Sequence, residues 1–136
     1  MTYSPSSWLD FLPHQIPFRA ASAARRVDEK TMEGLYICSA DDGLFEGVVP
    51  ISMIFEAMAQ LGGGVAFAES KSQGWLSAID DASVDAVLEA GDIVHLRVEL
   101  EASFGRIFRF RGFGFRQGLE FARAKFYLAE PLGGSL

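Results

Sequence analysis

The 136-residue sequence predicts an α+β domain in which one long apolar helix covers a mostly antiparallel sheet. Two observations carry this. Residues 44–70, LFEGVVPISMIFEAMAQLGGGVAFAES, are too long and too uniformly apolar for a strand, and Pro50 suits a first helical turn, where a missing N–H costs nothing. The last third holds IVHLRVELEAS, RIFRFRGFGFR and LEFARAKFYLAE, which alternate apolar and polar residues as half-buried strands do. A hydrophobic content of 49% and a charged content of 22% permit a real core in a single domain spanning residues 1–136.

Taken in order, SSWLDFL reads as a short N-terminal helix stopped by Pro13. LPHQIPF, with two prolines, reads as a rigid extended connection. FRAASAARRVDE and EGLYICSAD form a first strand pair joined by a polar turn at EKTMEG. The long helix then runs from Pro50 to about Glu69. It contains Gly62, Gly63 and Gly64, each about 1 kcal/mol worse than Ala in a helix. Close packing of a strand against that face is the simplest compensation, and a kink is the alternative. GWLSAIDDASVDAVL is a further, irregular strand, followed by a turn at Gly91 and Asp92. In IVHLRVELEAS, Val94, Leu96, Val98 and Leu100 take one face and His95, Arg97, Glu99 and Glu101 the other. The middle strand of the last three slips in pattern near Gly112 and Gly114, where a bulge is expected. The Phe-rich run 104–115 reads as core and dimer packing. Arg and Lys opposite Glu on the polar faces predict cross-strand ion pairs. The tail, residues 130–136, is expected to be disordered.

The net charge of −6 argues against nucleic acid and anionic membranes as partners. One cysteine, Cys38, cannot form an internal disulfide and fits a buried position in a reducing compartment. The N-terminus has neither the basic start nor the apolar run of a secretory signal. Residues 50–68 approach transmembrane length, but Glu56 and Gln60 lie inside them, and a charge at mid-membrane costs about 2.5–3.5 kcal/mol. A buried globular helix, and hence a soluble cytoplasmic protein, is the expectation. Neither a metal-ligand spacing nor a phosphate loop is present, and no cofactor is implied.

Ser52, Glu56 and Gln60 recur every four residues, stepping about 40° around the helix, and so form one polar stripe on an apolar rod. A buried carboxylate costs several kcal/mol unless bonded or protonated. Glu56 therefore either takes a hydrogen bond and does no chemistry, or the stripe lines a ligand tunnel.

LPHQIPF, EAMAQ and AIDDA…GD stand in the order and spacing seen in the 3-hydroxyacyl-acyl-carrier-protein dehydratases, which the sequence resembles over about residues 9–128. The resemblance implies the hot-dog fold, a curved antiparallel sheet wrapped around one long central helix. It also implies a mechanism. A histidine removes the Cα proton, a carboxylate on the helix protonates the leaving hydroxyl, and backbone N–H groups at the helix N-terminus hold the thioester oxygen. Histidine and carboxylate come from different subunits.

Glu56 falls on the family's catalytic carboxylate, with Gln60 on the glutamine one turn later. Ile51 stands where the family has the glycine whose N–H faces the thioester, and Ser52 follows it on the substrate side. The family's histidine lies in a Gly-His-Phe-Pro-Gly segment before the helix. Here FEG, residues 45–47, runs directly into Val48, Val49 and Pro50, and that histidine is missing. The two histidines present, His14 and His95, do not match it. The family's basic carrier-docking residues are replaced by Ser83, Val84, Asp85 and Ala86.

The resemblance therefore implies an acyl-thioester binder, its thioester carried on acyl-carrier protein or coenzyme A. It would be impaired alone, working as a homodimer or as a heterodimer with a histidine-bearing relative. An acyl thioesterase using Glu56 and a non-enzymatic acyl-binding protein are the alternatives.

Overall fold

The computed structural model describes residues 23–38, 48–49, 51–66 and 75–130. The expected N-terminal helix, the LPHQIPF connection with His14, the FEG segment, Pro50 and the tail beyond Glu130 lie outside the described residues.

Eight strands and one helix are present among them. The strands are β1 (Ala23–Asp28), β2 (Thr31–Ile37), β3 (Val48–Val49), β4 (Trp75–Val84), β5 (Leu88–Glu89), β6 (Ile93–Phe104), β7 (Ile107–Arg116) and β8 (Leu119–Ala129). The helix, α1, spans Ser52–Ala66. Six strands form one sheet in the order β1-β2-β6-β7-β8-β4, with every pairing antiparallel. β3 and β5 form a separate two-stranded ladder.

The helix covers one face of the larger sheet. Ile54, Ala57, Met58 and Leu61 of α1 are sealed against Met32, Val94, Leu96, Val98, Phe110, Phe126 and Leu128. Burying a side chain of this size is worth about 1.5–3 kcal/mol, so this layer dominates the stability of the domain. Phe110 and Phe126 stack across β7 and β8 with ring centroids 5.2 Å apart.

The β6 alternation is as predicted, since Val94, Leu96 and Val98 have no exposed surface. The β1–β2 turn is tighter than the sequence indicates. β2 already begins at Thr31, and only Glu29 and Lys30 form the bend, with the Lys30 N–H donating to Asp28 Oδ1 at 2.8 Å. That bond, with one from Thr31, holds the Asp28 carboxyl below its ordinary value of 3.8.

The glycines explain themselves by close approach. A Cβ on Gly62 would meet Leu128 and Phe126 side chains at 3.2 Å, so the helix lies tight against β7 and β8, as the glycine run predicts. A Cβ on Gly112 would stand 2.5 Å from Met58 Sδ, and one on Gly34 would stand 2.8 Å from the Ala23 carbonyl oxygen. The expected bulge lies between Gly114 and Phe115 on the β8 side. β6 carries another register shift, between Leu100 and Ala102. At the C-terminal end of α1, whose last turn has no basic residue, Arg26 of β1 donates to the Gly64 carbonyl at 3.0 Å. A cation there complements the helix dipole.

Candidate functional site

The site is built around the start of α1. Val48 and Val49 pair with Glu89 and Leu88, so the residues leading into the helix are held by β5. β5 is itself held by Asp92. Its Oδ2 accepts from the Glu89 N–H at 2.9 Å and from Arg116 Nη1 at 3.2 Å, while the same Arg116 nitrogen donates to the Val87 carbonyl at 2.9 Å. The Asp92 carbonyl accepts from the Cys38 N–H at 2.9 Å, and the Cys38 carbonyl accepts from the Gly91 N–H at 2.8 Å. Gly91 has φ +98°, a backbone that disfavours other residues. The Gly-Asp pair, visible in the sequence as a turn, is thus the clamp that sets where the helix begins. The Arg116 contribution to it has no sequence signal.

Ile51, half-exposed, accepts the Ile54 N–H at 2.9 Å and opens the first turn. The first N–H groups of a helix have no intrahelical acceptor, and α1 has no acidic residue in its first turn to neutralise them. An oxygen that gains negative charge is therefore favoured at this end.

The polar stripe crosses from solvent into the core. Ser52 is exposed, Glu56 is partly buried, and Gln60 has no accessible surface. The three lie on one helical face by spacing, but only the first two are accessible from outside this chain. Between the helix and its own sheet there is no room for an acyl chain at the level of Met58, Gly62, Gly112 and Phe126, where the atoms already meet at contact distance.

The described histidine does not join the stripe. His95 is exposed on β6 between Val94 and Leu96, which are fully buried under the helix. Strand alternation places His95 on the opposite face of the sheet from α1. There it lines a groove of about 610 Å³ with Phe115 and with the Asp92–Arg116 pair.

Several charges on that outer face are paired, as the cross-strand pattern predicts. Glu33 bridges Arg25 at 3.0 Å and Arg97 at 3.4 Å, Arg97 meets Glu99 at 2.7 Å, and Glu101 meets Arg111 at 3.0 Å. The hydrogen bond to Glu99 stabilises the Arg97 cation further. The Phe-rich run divides between the two faces. Phe110 is core, Phe113 and Phe115 are half-buried, and Phe104 is 57% exposed.

Among the described residues, no three His, Cys, Asp or Glu side chains are grouped to hold a metal ion. Among the same residues, no helix is long and apolar enough to cross a membrane.

No protein-family model matches the chain. By sequence it is similar to the 3-hydroxyacyl-[acyl-carrier-protein] dehydratase FabZ of Rickettsia massiliae, at 26% identity over 132 residues, covering 87% of this chain and 89% of that protein. By structure it is similar to the dehydratase heterocomplex ApeI:P from Xenorhabdus doucetiae, with a TM-score of 0.80 and 20% identity over 97% of this chain and 94% of that one. A hypothetical thioesterase with coenzyme A from Streptococcus pneumoniae shares the fold at a TM-score of 0.67 and 11% identity, covering 82% of this chain and 88% of that one. One helix on a six-stranded antiparallel sheet is the hot-dog fold, and the chain's sequence is similar to dehydratases of that fold.

Proposed function

We propose that this chain supplies the acid half of a 3-hydroxyacyl thioester dehydratase site, and that a second chain supplies the base. The observation that carries the reading is the placement of Glu56. It is partly accessible on the face of α1, one turn past exposed Ser52, while the described histidine of the same chain, His95, faces away across the sheet.

In this reading a histidine of the partner takes the Cα proton, and the electron pair left behind forms the Cα–Cβ double bond. Glu56 gives its proton to the departing 3-hydroxyl, which leaves as water. The N–H groups at Ile51 and Ser52 steady the thioester oxygen as charge builds on it. Gln60, enclosed behind Glu56, holds the stripe in place. The acyl chain lies outside the packed helix–sheet layer, against the partner.

Support comes from the sequence similarity to FabZ dehydratases and from a structural neighbour that is itself a dehydratase heterocomplex. Ser83, Val84, Asp85 and Ala86 present no cation, so an acidic carrier protein would dock on the partner, or the thioester would arrive on coenzyme A.

A second reading, thioester hydrolysis, is favoured by one feature. A lone helix carboxylate can activate water without any histidine.

Assays of the purified chain with 3-hydroxybutyryl and butyryl thioesters of coenzyme A separate these readings. The dehydratase-half reading expects neither enoyl product nor free thiol from the chain alone. Enoyl formation from the pure chain would overturn it, and thiol release lost in Glu56→Gln would establish the hydrolase instead.

A further inference from the structure

The groove beside His95 joins an apolar floor to an unspent cation. His95 and Phe115 are direct partners across β6 and β7 and both line it, so two aromatic rings rise side by side from one face. Ile93, two residues before His95 on the same face of β6, lines it too and is 56% exposed. Its partner on β2, Ile37, is 47% exposed and widens the apolar surface. An apolar concavity with a few placed polar groups is the usual form of a small-molecule site.

Arg116 supplies the polar end. Its Nη1 donates to the Val87 carbonyl and to Asp92 Oδ2. Among the described residues, its Nε and Nη2 donate to nothing, and 32% of the side chain is exposed. The Phe121 ring, 5.8 Å from Cζ, backs the guanidinium. The Nε–Nη2 edge is a fork that matches the two oxygens of a carboxylate.

One guanidinium of this chain already holds two carboxylates at once. Arg97 meets Glu33 through Nη1 and Glu99 through Nε. In Arg116 the first of these contacts is filled, by Asp92, and the second is open.

From the open edge of Arg116 beside the aromatic floor, we infer that this groove binds a small aromatic carboxylate. The carboxylate accepts from Nε and Nη2 of Arg116. The ring lies on Phe115 and His95, with Ile93 along its edge. Asp92 also lines the groove, but its Oδ2 is engaged by Arg116 and by the Glu89 N–H, which tempers repulsion of the ligand. The site lies across the sheet from Glu56 and does not rest on the dehydratase reading.

The probe is 2-naphthoate, with 2-naphthamide as its uncharged control, each measured against the purified full chain by equilibrium dialysis. The acid should bind at least about tenfold more tightly than the amide. Arg116→Lys keeps the charge but loses the fork, and should weaken the acid by about tenfold. Ile93→Glu lies outside the Asp92–Arg116 clamp, sets a carboxylate on the floor and should abolish binding. Glu56→Gln should leave binding unchanged. Circular dichroism melting of each variant verifies folding.

No binding of the acid at millimolar concentration, equal binding of acid and amide, or binding that survives Ile93→Glu overturns the inference. Binding lost in Glu56→Gln puts the ligand at the helix site and overturns it as well. The readout is occupancy, not turnover, so failure here leaves the acid role of Glu56 to its own assay.

Discussion

Glu56 and His95 lie on opposite sides of one sheet. The first is carried by the helix that packs on its inner face, and the second points outward from β6 between two fully buried residues. A residue facing away from the helix cannot exchange protons with Glu56 of the same chain. Replacing His95 with Ala should therefore leave any Glu56-dependent turnover of the assembled protein unchanged in kcat and in its pH profile. Loss of the acidic limb of that profile would show that His95 is the base.

The packing beneath the helix makes a second prediction. A methyl on Gly34 meets the backbone oxygen of Ala23, which cannot move without moving β1, whereas one on Gly112 meets the flexible Met58 thioether. Overpacking of this kind costs about 1–3 kcal/mol. Gly34→Ala should fall at the upper end of that range and Gly112→Ala at the lower, measured by denaturant unfolding. Shortening Met58 to Ala should remove the penalty at Gly112 but not at Gly34.

Asp92 should couple stability to the site. Asp92→Ala removes the acceptor for the Glu89 N–H and the Arg116 ion pair, at a cost of about 1–2 kcal/mol. Because β5 then loosens against β3, the helix N-terminus shifts, and any turnover that uses it should fall by more than the unfolded fraction accounts for. Activity that simply tracks the folded fraction would show that the clamp is structural only.

The β1–β2 turn gives a pH signature. The Asp28 carboxyl titrates below its ordinary 3.8 because backbone and side-chain donors at Lys30 and Thr31 bind its ionised form. A depressed carboxyl stabilises the fold at pH values above the unfolded pKa. That contribution is lost as pH falls through 3.8 toward the lower folded value. Asp28→Ala should therefore lower the melting temperature at neutral pH and make no difference near the acid end of that window. An equal effect at both would assign the loss to packing.

How much of this was legible in the sequence follows from the range of the interactions. The β6 alternation and the apolar helix are local patterns of side-chain period, so Val94, Leu96, Val98 and a helix over Ser52–Ala66 could be read directly. The Ser52–Glu56–Gln60 stripe is local too, but its gradient from exposed to sealed depends on what packs over each residue, which spacing does not encode. Gly34 reads as part of a turn and Gly112 as the place of a bulge. Their reason, the approach of Ala23 and Met58, is tertiary. Arg116 meets Asp92 only because β6 and β7 are neighbours in that register.

If Glu56 serves as the acid beside a histidine from another chain, half-site complementation should restore turnover. A histidine-bearing dehydratase of this fold, with its own helix carboxylate changed to Gln, is mixed with this chain and supplied with a 3-hydroxybutyryl thioester. Enoyl product should appear only in the mixture, and Glu56→Gln in this chain should lower the rate by about 10²–10⁴-fold. A mixture that forms mixed dimers yet stays inactive, or one whose restored activity ignores Glu56→Gln, would contradict it.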